Sequence, residues 1–155
     1  MAADTGRVTG VEKGIAPTGY RLPAGTRLGA VRLQVADLDR SLAYYVGVLG
    51  LRGLTSSADG ATLGAPGSDD ELIVLHAVHG TRPVPRQGTF GLYHFAILLP
   101  DRASLGRFVS HLWAMGVQAG MSDHEVSEAI YLTDPDGLGI EVYADRAAES
   151  WRYNG

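Results

Sequence analysis

The chain has 155 residues, 45% of them hydrophobic, no cysteine and a formal net charge of −4. That length supplies one ordinary core or two half-cores sharing an interface, and the lack of thiols excludes disulfides, thiolate metal sites and cysteine nucleophiles; a bound metal would fall to histidine and carboxylate. Charges of both signs are spread along the chain, with no basic stripe for a phosphate backbone, no apolar run near the ~20 residues of a membrane span and no signal-peptide pattern, so the chain reads as cytoplasmic, with neither nucleic acid nor membrane as partner.

Residues 1–25 mix Gly, Pro and Thr without a sustained period and read as an N-terminal arm. A first unit is expected over 26–80. In "LGAVRLQV" Val31, Leu33 and Val35 fall on one face and Ala30, Arg32 and Gln34 on the other, the alternation of a half-buried strand. Asp37 or Asp39 can cap the helix that follows, in which Leu38, Leu42, Tyr45 and Leu49 recur at spacings of three and four before Gly50. Short strands are expected near 51–56 and 60–64, and a stronger one at "ELIVLHAV", 71–78.

A proline-bearing connector spans 81–90, and the same order then begins again over 91–146, with a tail at 147–155. Here "YHFAILLP" is the strand, Asp101 the turn aspartate, Leu105, Phe108, Leu112 and Met115 the inward helix stripe, and "EAIYLT" and "GIEVYAD" later strands joined by the turn "DPDG". Position 30 then matches 94, and 74 matches 141. Neither strand-helix-three-strand unit can bury both faces of its own sheet. The expectation is therefore an α+β fold of two tandem βαβββ modules, forming a curved eight-stranded sheet around a concave cleft with the helices outside.

Alternation also assigns the candidate residues. Phe95, Ile97 and Leu99 pack on the helix, which turns His94 and Ala96 into the cleft; Ile140 and Val142 likewise send Glu141 and Tyr143 there. An imidazole and a carboxylate on one surface suit a divalent metal such as Fe(II), Mn(II), Ni(II) or Zn(II). His79 and His111 read as surface residues, and "DPDG" as a hairpin device rather than a calcium loop, whose carboxylate spacing it lacks.

"VRLQVADLDRSLAYYVGVLGL", "GLYHFAILLP" and "SDHEVSEAIYLTDPDGLGIEVYAD" resemble the vicinal oxygen chelate superfamily of glyoxalase I, bleomycin resistance proteins and extradiol ring-cleaving dioxygenases, with phrasing closest to bacterial catechol 2,3-dioxygenases. The resemblance covers residues 21 to about 150 and implies paired modules with a metal in the concavity. Extradiol members use two histidines and a glutamate, at positions matching 30, 94 and 141. His94 and Glu141 match; Ala30, and Val74 at the fourth position used by other members, are not ligands. His76, two residues beyond Val74 on the same face, is a possible substitute, and Arg32 could pair with an anionic substrate.

His124 in "SDH" resembles the extradiol loop histidine and Tyr131 the tyrosine that steadies it, implying catalytic roles as acid or base and as oxyanion donor. The resemblance thus implies a metal-dependent, Fe(II) dioxygenase-like oxidoreductase for a small aromatic or catecholic molecule, in a homodimer. A metal-free sequestration protein of the bleomycin-resistance kind, for an aromatic or natural-product ligand, is the rival that Ala30 and Val74 favour. Pairing of modules within or between chains, and membership in a longer two-domain arrangement, are both open at this point.

Overall fold

The computed structural model describes residues 19–82, 85 and 91–151; the expected arm up to residue 18, most of the 81–90 connector and the end of the tail lie outside the described residues. The first strand, β1 (Val31–Val35), buries Leu33 and Val35 and exposes Arg32 and Gln34, as its alternation requires. Helix α1 (Leu38–Gly47) starts where Asp37, in extended conformation, accepts a bond from the backbone N–H of Arg40 at 2.9 Å. It ends before Gly50, whose φ of +76° turns the chain in a conformation that a side chain would strain. Strands β2 (Arg52–Ser56), β3 (Gly60–Gly64) and β4 (Ile73–Ala77) complete a sheet in the order β1-β4-β3-β2, with β1 and β4 parallel.

The second module repeats this plan. β5 (His94–Leu98) leads into α2 (Arg102–Ala114), capped by Asp101, which accepts from Ser104 N–H at 2.6 Å. Strands β6 (Gly120–Asp123), β7 (Ser127–Thr133) and β8 (Gly139–Asp145) then give the order β5-β8-β7-β6, with β5 and β8 parallel. The repeat extends to the register. Arg32 pairs with Val74 and Ala96 with Glu141, while Thr62 faces Val74 and Tyr131 faces Glu141 from the next strand over. Ala30 and His94 each stand two residues before the paired β1 or β5 position, so 30 matches 94 and 74 matches 141 in space as in sequence.

The fold is the expected α+β pair of βαβββ modules, with the eight strands divided between two four-stranded sheets that are not closed on one another. One apolar core joins them: Leu33, Val35, Tyr45, Leu63, Ile73 and Leu75 from the first module cluster with Phe95, Leu105, Leu112, Ile130, Leu132, Ile140 and Val142 from the second. Each such side chain, withdrawn from water, contributes roughly 1.5–3 kcal/mol. Met115 differs from expectation. It lies beyond the last residue of α2, next to the turn at Gly116 (φ +67°), and is 47% exposed because the helix stops one residue before it.

Polar groups also bridge the modules. The "DPDG" segment does reverse the chain between β7 and β8, but its carboxylates are buried against α1. Asp134 accepts bonds from the Tyr45 hydroxyl at 2.9 Å and from the backbone N–H groups of Asp136 and Leu138 at 2.9 and 2.8 Å. Asp136 accepts from the Ala36 N–H at 3.0 Å and pairs with the Arg40 guanidinium. His111, exposed as expected, sets Nε2 3.0 Å from the Gly47 carbonyl oxygen, which can only accept, so that ring nitrogen carries the proton. Among the described residues no helix is long and apolar enough to cross a membrane.

Candidate functional site

His94 opens β5 and projects from its exposed face, opposite the face on which Phe95 is buried. Its neighbour on β8 is Gly139, where a Cβ would stand 3.0 Å from both His94 Cβ and the Tyr93 carbonyl oxygen. A residue without a side chain is therefore what leaves the imidazole its position. Glu141, two residues along β8, is flanked by the buried Ile140 and Val142 and emerges on the same side as His94. His94 Nε2 lies 3.3 Å from Glu141 Oε2, with 39% and 16% of the two side chains exposed.

Tyr131 extends this line. Sequence alternation left its face open; the β7–β8 register puts it directly across from Glu141, and cross-strand neighbours share a face. Burial first, and then the hydrogen bond to Glu141 and that group's negative charge, hold the Tyr131 phenol above its ordinary pKa. The Tyr131 hydroxyl is also 2.8 Å from His124 Nε2. A phenol has one proton. If it goes to the carboxylate, which only accepts, His124 must donate from Nε2. The second module thus brings all four singled-out groups into one sequence, His124–Tyr131–Glu141–His94, across β7, β8 and β5.

His124 sits in the tight connection between β6 and β7, where Glu125 takes a positive φ of 66°. Arg146, not singled out from the sequence, fastens both ends of that connection. Its guanidinium reaches Asp123 at 2.6 Å and Glu128 at 3.0 Å, and its own N–H bonds the Val126 carbonyl at 2.9 Å. Arg102 adds a second cation on Glu128 at 2.5 Å, and the two arginines hold that carboxyl below its usual range. Local charge pattern does not signal this role, because the contacts span 18 to 26 residues.

The first module carries different groups at the matching places. Arg32, Gln34, Val74 and His76 occupy the exposed side of β1 and β4, with His76 opposite Gln34. They line a concavity of about 650 Å³ with Thr55, Ser57 and Thr62. His76 is therefore in the other sheet from His94 and Glu141, and among the described residues no three His, Asp or Glu side chains are grouped to hold a metal. By donor chemistry His94 and Glu141 fit a divalent metal, as two members of the two-histidine, one-carboxylate set of non-haem Fe(II) oxygenases. Ala30, at the place that would mirror His94, contributes no donor.

Comparison with known proteins agrees with this architecture. Residues 27–142 match the family model described as Glyoxalase/Bleomycin resistance protein/Dioxygenase superfamily. A catechol-2,3-dioxygenase of Bacillus subtilis (strain 168) is 43% identical over 127 residues, which cover 82% of this chain but 44% of that protein; the chain thus spans less than half the length of this relative. Among solved structures, a lactoylglutathione lyase from Agrobacterium tumefaciens superposes with a TM-score of 0.61 at 20% identity, over 84% of this chain and 100% of that one. A glyoxylase/bleomycin resistance protein/dioxygenase domain from Frankia sp. EAN1pec gives 0.65 at 22% identity, over 78% and 98%. At those identities the structural likeness speaks for the fold alone. Two registered βαβββ modules and the family match over most of the chain lead to one conclusion: the protein belongs to the glyoxalase/bleomycin resistance/dioxygenase superfamily.

Proposed function

We propose that the exposed face of the second module is the reaction site of an extradiol-type dioxygenase-like protein for a small catecholic or other aromatic molecule. The observation that carries the reading is the gathering of His124, Tyr131, Glu141 and His94 on one face, with His124 against the Tyr131 hydroxyl, Tyr131 across from Glu141 in register and Glu141 3.3 Å from His94. The 43% identity to a catechol-2,3-dioxygenase supports it.

His94 and Glu141 would hold a divalent metal, Fe(II) by that likeness. Once bound, the metal supplies the activation of the diol and of O₂. The remaining work falls to the chain. Tyr131, with its phenol kept protonated at neutral pH, donates toward negative charge developing on a substrate oxygen. His124, exposed at the loop, exchanges a proton with the diol at its imidazole, and Tyr131 orients that ring. Arg146 keeps the loop in place through Asp123 and Glu128. The reading includes a homodimer, which light scattering checks.

The deciding experiment is anaerobic reconstitution with Fe(II) and metal analysis. Near-stoichiometric binding that disappears in His94→Ala and in Glu141→Ala is expected, followed by coloured ring-opened product from a catechol panel. A wild-type chain that binds no Fe(II) overturns the reading and leaves a metal-free ligand-binding protein in its place.

A further inference from the structure

The connection that carries His124 has a counterpart in the first module. At the spacing that joins Val74 to Glu141, Ser57 matches His124, Ala58 matches Glu125 and His79 matches Arg146. Both connections close with the same bond: the Ser57 N–H donates to the Gly60 carbonyl at 2.8 Å, and the His124 N–H to the Ser127 carbonyl at 2.9 Å. Only the second is strained. Glu125, with φ +66°, is the one non-glycine residue of positive φ among the described residues, and Ala58 passes the matching turn without it. The module fold therefore does not demand a left-handed residue at this place. A side chain makes that conformation costly, and it persists only where the surroundings over-determine it.

Those surroundings form a chain of contacts that leads to Trp151. The Glu125 N–H donates to Asp123 Oδ1 at 2.8 Å, and the Arg146 guanidinium donates to the Glu125 carbonyl at 3.5 Å and to Asp123 Oδ2 at 2.6 Å. Arg146 stands one residue past the end of β8. A 3₁₀ turn at Ala148–Ser150 then brings the chain back, and the half-buried Trp151 donates its indole N–H to the Arg146 carbonyl at 2.9 Å.

We infer that Trp151 is a positioning residue for His124: by pinning Arg146 it keeps Glu125 left-handed, and the turn so held aims the imidazole at the Tyr131 hydroxyl. The proton chemistry of His124 rests on the reading above; the placement of its ring does not. The first module has His79 where Arg146 stands and no catalytic group on its connection, so it carries no such brace.

Ring-proton NOEs on the whole, metal-free chain test the placement, and kinetics with Fe(II) and catechol test its use. The wild type should show His124–Tyr131 ring contacts, the two centroids being 6.2 Å apart. Trp151→Phe keeps an aromatic ring and removes the donor. It should lose those contacts and lower kcat about tenfold, with KM and Fe(II) binding held. Glu125→Gly should keep the contacts, because glycine takes this φ without strain, and when added to Trp151→Phe it should restore both contacts and kcat. Wild-type ring contacts in Trp151→Phe, a rescue that fails, or Fe(II) binding that falls in step with kcat would each overturn the inference. A wild type that shows the ring contacts but binds no Fe(II) sinks the dioxygenase reading alone, and the NOE series still decides the role of Trp151.

Discussion

Val74 and Glu141 occupy the same place in two sheets of the same order, opposite Arg32 and Ala96 on one side and Thr62 and Tyr131 on the other. The backbone is repeated; the chemistry is exchanged. One face carries an unpaired guanidinium and hydroxyls, the other a carboxylate between an imidazole and a phenol. Register and face are set by main-chain pairing and by the apolar residues behind each strand, so the exposed positions are free to change without disturbing the module. The two faces therefore teach which residues build the fold and which were left to function.

The comparison breaks most visibly if the chemistry can be moved. Placing Ala30→His and Val74→Glu in one chain puts an imidazole and a carboxylate where their register partners stand in the second module. Because positions 30, 94 and 141 match a single ligand set, Fe(II) bound anaerobically should stay at about one per chain and be held about tenfold more tightly than by the natural pair, with Glu141→Ala still weakening it. An Fe(II) affinity that does not change would mean that register equivalence does not carry side-chain placement with it.

A second difference concerns how the modules hold each other. The strand-helix halves are offset by 64 residues, so the counterparts of Arg40 and Tyr45 are Ser104 and Val109, and neither can repeat the contacts to the "DPDG" carboxylates. Among the described residues the first helix makes such a clasp and the second does not. Asp134→Ala removes an acceptor of three bonds and leaves the Tyr45 hydroxyl and two N–H groups buried and unpaired. The expected loss is roughly 3–4 kcal/mol in urea unfolding, with the two modules ceasing to unfold together. The same substitution at Asp70, exposed in the corresponding turn of the first module, should cost at most about 0.5 kcal/mol.

Much of this is legible in the sequence. Period-two alternation is local, so His94 and Glu141 could be turned to one face from their flanking apolar residues, and a cap could be marked at Asp37 or Asp39, with Asp101 as the matching turn aspartate; the structure makes Asp37 and Asp101 the caps. Tyr131 could not be placed, since its face depends on how β7 registers against β8. The fate of Asp134 and Asp136 was also hidden. A turn motif specifies its own reversal, whereas the docking of its carboxylates on Tyr45, Ala36 and Arg40 joins residues 89 to 100 apart. Met115 misled because a spacing of three and four continues past the place where a helix stops.

The finest contrast lies within one helix turn of the first module. Tyr44 and Tyr45 pack edge to face at 5.7 Å, yet the Tyr45 hydroxyl bonds Asp134 while the buried Tyr44 hydroxyl has no partner among the described residues. Burial first, and then the charge of Asp134, push the Tyr44 phenol up to about 12 from 10.0, and the same causes push Tyr45 further. A phenol harder to ionise in the folded than in the unfolded chain stabilises fully below the unfolded value and loses that contribution as pH rises through the folded one. Unfolding free energy should therefore stay level up to about pH 10 and fall above it. Tyr45→Phe should cost roughly 1.5–3 kcal/mol at neutral pH, the range for a hydrogen bond to a charged group, and flatten much of the alkaline decline. Tyr44→Phe deletes a hydroxyl that is buried without a partner, so it should be neutral or stabilising within about 0.5 kcal/mol at neutral pH while still lessening the decline. Urea titrations followed by circular dichroism at several pH values separate the two; a Tyr44→Phe variant less stable than Tyr45→Phe would show that the clasp runs through the other ring.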